Sequence, residues 1–187
     1  MKTQMKFLLF LLFFTSSTLL ATAQEEMPSV AGVKFGESYS TCKAKLDKRF
    51  NGGKESYPIT ANELTYRDVT FADEYFDYVK SYFQTDGTVT RLSYIVFTKS
   101  FDLADVKYAK EQRDRLFKSY SDKYEVRWDG VNEDDFKYYV LGHDPIKPED
   151  GLIVIKTTKG KNNKGEMKLW TEVSYGPVLL INPTDEI

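Results

Sequence analysis

The segment 74–101, EYFDYVKSYFQTDGTVTRLSYIVFTKSF, constrains the fold more than any other part of the chain. Two runs rich in aromatic and β-branched residues flank the dipeptide Asp86-Gly87. Asp and Gly tolerate the positive φ angles of a tight hairpin turn, and the flanking residue types suit a half-buried pleated surface. The segment therefore predicts a long β-hairpin at the centre of a sheet.

Alternation along the first strand of this hairpin assigns its side chains to two faces, because successive side chains of a strand point in opposite directions. Both faces are apolar enough to need cover, so the pattern alone does not decide which face is buried. The two predicted sets are Phe76, Tyr78 and Tyr82 on one face, and Tyr75, Val79 and Phe83 on the other.

Two amphipathic helices are predicted, one before the hairpin and one after it. The first follows the N-cap Ser38, carries apolar residues at three- and four-residue spacing, and ends at the glycines of 51–53. The second begins at Asp102, where we expect a side-chain cap, and its apolar stripe extends to Tyr124.

The order of elements is therefore helix, about three strands, helix, about three strands. This order predicts an α+β fold in which two tandem α-β-β-β units form one antiparallel sheet with the helices packed on one face. The units would span residues 32–101 and 102–181, a possible internal duplication. The second face of the sheet would remain open.

Residues 1–23 have the pattern of a cleaved signal peptide. Lys2 and Lys6 precede an apolar run, and Ala21-Thr22-Ala23 has the small-x-small pattern of a cleavage site. Cleavage after Ala23 would leave residues 24–187 as a single periplasmic or secreted domain. The apolar run is too short to span a bilayer and no second run follows, so we expect no transmembrane segment in the mature chain.

Charge and motif content disfavour several classes of function. Without the signal peptide the net charge is about −4, which does not fit a nucleic-acid partner. A single histidine excludes the paired-histidine metal signatures, and we expect neither a metal nor a cofactor. The acidic stretch 129–135 lacks the spacing of a calcium loop, and the basic stretch 159–165 lacks a phosphate-loop pattern, so both are predicted turns.

Two residues deserve separate consideration as reactive groups. His143, in the turn-like segment Gly142-His143-Asp144-Pro145, is either an exposed turn residue or the base of a hydrolase. A carboxylate pair drawn from Asp73, Glu74 and Asp77 is the other catalytic alternative. Cys42 lies on the apolar stripe of the first helix and is predicted to be buried, the alternative being an intermolecular disulfide.

Aromatic content is the unusual quantity, at 15% with thirteen tyrosines. Tyrosine combines a large apolar body with a polar tip and is favoured at recognition surfaces. We therefore predict a non-enzymatic binding or inhibitory module whose open sheet face binds a protein, peptide or glycan. The alternatives are the hydrolase above and an envelope-assembly or structural partner; the oligomeric state is not indicated. The candidate contacts are Tyr78, Tyr82, Tyr94 and Trp170.

Short motifs along the chain carry a resemblance. They are Phe35-Gly36-Glu37-Ser38 before the first helix, Phe76-Asp77-Tyr78-Val79, the stretch from Ala109 to Asp114, and Ser174-Tyr175-Gly176-Pro177. With the signal peptide, the chain resembles a group of small exported α+β proteins of Gram-negative bacteria that has no assigned activity. More distantly, its predicted topology is similar to that of β-lactamase-inhibitor-protein-like folds and of small outer-membrane-assembly lipoproteins. The resemblance implies an exported α+β domain and supplies no site residues.

Overall fold

The computed structural model describes residues 27–50, 55–56, 62–86 and 89–178. The helices are α1 (Tyr39–Arg49) and α2 (Val106–Ser121), and a short 3₁₀ turn, Leu103–Asp105, precedes α2. The strands are β1 (Ser29–Val30), β2 (Val33–Lys34), β3 (Glu55–Ser56), β4 (Glu63–Phe71), β5 (Glu74–Asp86), β6 (Val89–Phe101), β7 (Val126–Val131), β8 (Lys137–Leu141), β9 (Ile153–Lys161) and β10 (Met167–Tyr175).

Eight strands of the described residues form one antiparallel sheet in the order β3-β4-β5-β6-β10-β9-β8-β7. Strand β3 contributes only two residues, so the sheet consists in substance of seven longer strands. Strands β1 and β2 pair with each other outside it. The predicted α+β fold, with helices on an antiparallel sheet, is confirmed.

The predicted hairpin is confirmed as the pair β5–β6, whose register runs from Tyr78–Thr98 to Asp86–Val89. Its turn residues 87–88 lie outside the described residues. The register shifts by one residue between Tyr82 and Phe83, which is a β-bulge on β6. Because of this bulge, Leu92 and Ile95 are both fully buried although they are three residues apart.

The start of each helix follows a different rule. For α1 the predicted cap is confirmed, since Ser38 Oγ accepts a hydrogen bond from the Thr41 amide at 3.3 Å. For α2 the prediction was wrong: Asp102 makes no side-chain cap hydrogen bond, and a 3₁₀ turn intervenes before Val106. The Asp102 carboxylate pairs instead with Lys168 of β10, so a contact across the sheet replaces the local cap.

Both helices pack on the same face of the sheet. The helix-covered face contains a row of six buried residues that lie opposite one another on successive strands, here called the inward row. Phe50, at the end of α1, lies 5.8 Å from Tyr66 and 6.3 Å from Phe97 between ring centroids. From the same face, Thr171 Oγ1 donates to the Ala109 carbonyl of α2 at 3.0 Å. The inward row is Tyr66, Val79, Phe97, Val173, Ile155 and Tyr139.

The alternation predicted for β5 breaks at Asp77, which corrects one assignment. Phe76 is fully buried on the helix side, 5.5 Å from Phe97, whereas Tyr75 is 44% exposed. The pairing of β5 with β6 ends at Tyr78, and the Asp77 carboxylate accepts hydrogen bonds from the amide and hydroxyl of Ser100, both at 2.7 Å. The Asp77 carboxylate thus takes the place of a backbone carbonyl in the hydrogen-bond ladder between β5 and β6, and Phe76 points toward the core.

Several predictions fall on residues that the structure does not describe. These are the signal peptide with its cleavage site at Ala23 and the glycines after α1. Within the described residues, neither helix has the length and apolar content needed to cross a bilayer.

Candidate functional site

The helix-free face of the sheet carries a second row, here called the outward row. Its members lie directly opposite one another on β4, β5, β6, β10, β9 and β8, and residues in such positions share a face. Each of them is the immediate chain neighbour of an inward-row residue, so it points away from the helices. The outward row is Arg67, Tyr78, Thr98, Glu172, Lys156 and Tyr138.

All four residues predicted as contacts lie half-buried on this helix-free face. Tyr82 lies opposite Tyr94, with ring centroids 5.6 Å apart. Trp170 lies opposite Ser100 of β6 and Thr158 of β9. It is two residues from Glu172 along β10 and therefore on the same face as the outward row. Their place on the face is now known, and their role as contacts stays a prediction.

A groove of about 530 Å³ opens on this face. One wall comes from β4 and the other from the tip of the β9–β10 hairpin, and residues of β5 and β10 lie between them. Tyr78 and Trp170 both line the groove, whereas Tyr82 and Tyr94 lie outside its lining. The complete lining is Thr65, Arg67, Tyr78, Lys80, Lys161, Asn162, Asn163, Lys164, Trp170 and Glu172.

Asn162 organises the hairpin tip that forms the second wall. Its Oδ1 accepts from the amides of Lys164 and Glu166, each at 2.9 Å. Its Nδ2 donates to the Glu166 carboxylate at 2.7 Å. A side chain that satisfies two amides of the turn holds the tip in one conformation, which positions Lys161 and Lys164 at the rim.

The indole of Trp170 rests on Gly160 of the neighbouring strand. A Cβ atom at Gly160 would lie 3.1 Å from the indole Nε1 and 3.4 Å from Cδ1, closer than ordinary van der Waals contact. The missing side chain at Gly160 therefore allows the ring to lie close against β9. Larger residues there would push the ring toward the groove.

The groove is basic, although the protein as a whole is acidic. Its lining contains four basic side chains and one carboxylate. Lys80 is partly neutralised by Glu63 at 3.1 Å, and Glu172 by Lys156 at 3.4 Å. Among the described residues, the other three cations have no carboxylate within ion-pair distance; they are Arg67, Lys161 and Lys164.

Two tyrosines of the face, Tyr78 and Tyr82, are hydroxyl donors at neutral pH. Burial raises the pKa of Tyr78, and the hydrogen bond with Thr98 opposes this rise without cancelling it. Burial also raises the pKa of Tyr82, with the negative charge of Glu63 adding to the effect. Because protonated phenols donate hydrogen bonds, both groups suit a ligand that presents oxygen acceptors.

The residues considered for catalysis lie elsewhere and have their own partners. His143 lies in an exposed loop, with Nδ1 3.0 Å from the Pro148 carbonyl and Nε2 2.9 Å from the Glu125 carboxylate. These two hydrogen bonds raise its pKa. Cys42 is fully buried, as predicted, and burial raises the pKa of its thiol to about 12.

The candidate carboxylate pair is divided between two networks. Glu74 accepts from Arg115 at 2.6 Å, whereas Asp77 accepts from Lys99 at 2.8 Å and from Ser100. In the part of the chain that the structure describes, no three His, Cys, Asp or Glu side chains form a cluster that could hold a metal ion.

Sequence reasoning missed the three unpaired cations of the groove. The sequence predicts only a turn at the basic stretch 159–165, and it does not single out Arg67. The available signal was that Arg67 has the same strand parity as the outward-facing Thr65. The missing information was the tertiary arrangement that places the hairpin tip and β4 around one cavity.

Known proteins give no further guide to this groove. Comparisons with protein-family models, with curated proteins and with solved structures found no match to the chain. The resemblance to small exported proteins of Gram-negative bacteria therefore stays a prediction, and the function has to be inferred from the geometry of the helix-free face.

Proposed function

We propose that this protein is an exported, non-enzymatic binding or inhibitory module that uses the helix-free face of its sheet. The observation that carries the proposal is the cluster of half-buried aromatic side chains around a groove on a face that neither helix covers. Such side chains contribute large contact areas at little entropic cost, which makes them effective in recognition. The contacts we propose are Tyr78, Tyr82, Tyr94 and Trp170.

The arrangement of ionisable groups favours binding over hydrolysis. A hydrolase would bring an acid and a base together in a cleft. In the described residues the groove contains a single carboxylate, Glu172, already paired with Lys156. His143, Glu74 and Asp77 interact with partners outside the groove.

The cellular setting and the repeat are part of the same proposal. We place the mature chain, 24–187, in the periplasm or outside the cell because of the leader pattern in residues 1–23. Two tandem units, 32–101 and 102–181, are proposed because each helix is followed by strands of the shared sheet, which in the described residues are β3–β6 after α1 and β7–β10 after α2. Fractionation of a tagged full-length chain, with sizing of the processed product, tests the location.

The binding face is tested by affinity capture with the immobilised mature protein. Periplasmic and culture extracts are passed over the wild type and over the Tyr78→Ala/Tyr82→Ala variant. We expect specific capture by the wild type and its loss in the variant, because the two rings supply contact area on one face. A stable complex with an outer-membrane protein would favour the envelope-assembly role.

The matched control is Tyr108→Ala, a tyrosine that is 60% exposed on α2. It removes the same side chain from the opposite side of the molecule. Equal capture by the wild type and the double variant, with both folded by circular dichroism, would exclude this face as the binding surface.

A further inference from the structure

We infer that the groove binds an acidic oligosaccharide, one that carries carboxylates on its sugar rings; this inference rests on the proposed function. It concerns the cavity between β4–β5 and the β9–β10 tip. Three features of that cavity lead to this ligand: unpaired cations on two walls, aromatic rings between them, and a floor whose backbone groups are already paired.

The cations specify the charge of the ligand. Arg67 stands on the β4 wall, and Lys161 and Lys164 stand on the opposite tip, all exposed and without a carboxylate partner among the described residues. An arginine binds a carboxylate through two parallel hydrogen bonds, whereas a lysine acts as a point charge. A ligand with negative charges at both ends of the groove would therefore neutralise both walls.

The aromatic side chains specify the body of the ligand. Tyr78 and Trp170 are half-buried between the charged walls, and the Trp170 ring is seated on Gly160. Flat apolar rings pack against the C–H faces of sugar rings, while the Tyr78 hydroxyl and the Asn163 amide suit sugar hydroxyls. A cavity of about 530 Å³ has the volume of a small-ligand site, which fits a short saccharide.

The pairing of the floor argues against an acidic peptide. Strands β5 and β10, which supply the residues between the two walls, are interior strands, so ladder partners on both sides use their backbone amides and carbonyls. A peptide lying across them would leave its own backbone groups without partners from the sheet, and such groups are costly when buried. Recognition by added strands requires a free sheet edge, and this groove lies on a face.

The test is calorimetric titration of the mature protein with linear tetragalacturonate, maltotetraose and hexaglutamate. We expect the acidic saccharide to bind, with an affinity that falls as salt is raised because exposed charges are screened. Maltotetraose should bind at least tenfold more weakly, since it lacks the carboxylates. Hexaglutamate should bind more weakly than the acidic saccharide, since it offers charge without sugar rings.

Variants locate the site within the groove. Arg67→Gln and Lys161→Gln should each weaken tetragalacturonate binding roughly three- to fivefold, as expected for exposed charge pairs. Trp170→Ala should weaken it about thirtyfold, the effect of losing a central aromatic contact. The controls Lys107→Gln and Tyr108→Ala lie on α2 and should change nothing.

Each remaining outcome has a definite meaning. Absence of tetragalacturonate binding, equal binding of maltotetraose, or tighter binding of hexaglutamate would overturn the saccharide assignment. Binding unaffected by Arg67→Gln and Trp170→Ala would remove it from this groove. If the Tyr78→Ala/Tyr82→Ala variant loses its captured partner while tetragalacturonate fails to bind, the saccharide assignment falls and the binding face stands.

Discussion

Each residue of the outward row is the chain neighbour of a residue of the inward row, yet the two rows lie on opposite faces of the sheet. Every member of the inward row is at most 9% exposed, and the row packs against both helices. The outward row contains three charged residues, two half-buried tyrosines and the buried Thr98 on the face that the helices leave free. The same strands therefore supply stability through one face and leave the other for recognition.

Truncation of one ring in each row should separate the two roles most clearly. Phe97 is fully buried and contacts the rings of Phe50, Phe71, Phe76 and Tyr175. We expect Phe97→Ala to lower the free energy of unfolding by about 3–5 kcal/mol, because it leaves a cavity.

Tyr78→Ala is the matched change on the helix-free face, and we expect it to lower the free energy of unfolding by about 1 kcal/mol. Urea unfolding followed by circular dichroism measures both values. Similar losses in the two variants would mean that the helix-free face contributes to the core as much as the helix-covered face does.

Removal of one buried hydroxyl should have the next largest effect. The hydroxyls of Tyr120 and Tyr175 hydrogen-bond to each other in the core, and burial raises the pKa of Tyr120 to about 12. Tyr175→Phe leaves the Tyr120 hydroxyl unpaired, which should cost about 1–3 kcal/mol.

The Tyr120→Phe/Tyr175→Phe double variant should recover part of that loss, since no buried hydroxyl then lacks a partner. On the helix-free face, Tyr82→Phe should change the free energy of unfolding by about 0.5 kcal/mol or less. Additive losses for the two core substitutions would contradict the coupled pair.

The smallest predicted effect depends on pH and concerns Asp77, the residue at which the alternation of side chains along β5 breaks. Burial by itself raises the pKa of Asp77, but hydrogen bonds from Lys99 and Ser100 outweigh it and hold the pKa below its usual value. A depressed pKa stabilises the fold above the unfolded value of about 3.9, and this contribution disappears as the pH falls through the folded pKa.

Asp77→Asn should therefore cost about 1 kcal/mol at pH 7 and progressively less below about pH 4. Unfolding curves across this range measure the difference from the wild type. The control is Asp73→Asn, an exposed turn residue at φ 61° where asparagine is equally tolerated. A pH-independent difference would show that the Asp77 charge does not hold this position.

Local rules identified several features correctly because short-range chemistry decides them. Asp86-Gly87 between aromatic strands predicted β5 and β6, and Ser38 predicted the start of α1. The same rules failed at Asp102, where Lys168 of β10, the neighbouring strand in the sheet but far along the chain, takes the carboxylate. They failed again at Phe76, because the Asp77 side chain enters the ladder and reverses the alternation.

The candidate site was predictable only in part. Alternation placed Tyr78 and Tyr82 on a common face, and the structure shows that neither helix covers it. The groove itself depends on the tertiary structure, which brings residues from β4 and from the β9–β10 tip to one cavity. The periodicity of residue types along the chain does not indicate that β4 and the β9–β10 tip lie close together.

The sequence by itself determined the strand and helix types, the central hairpin and the aromatic content of its two faces. These follow from residue propensities, turn chemistry and side-chain periodicity, all of which act over a few residues. Only the tertiary structure decided which face the helices cover and where the unpaired cations meet the aromatic rings. Those outcomes depend on packing and on strand pairing, which join residues that are far apart in the chain.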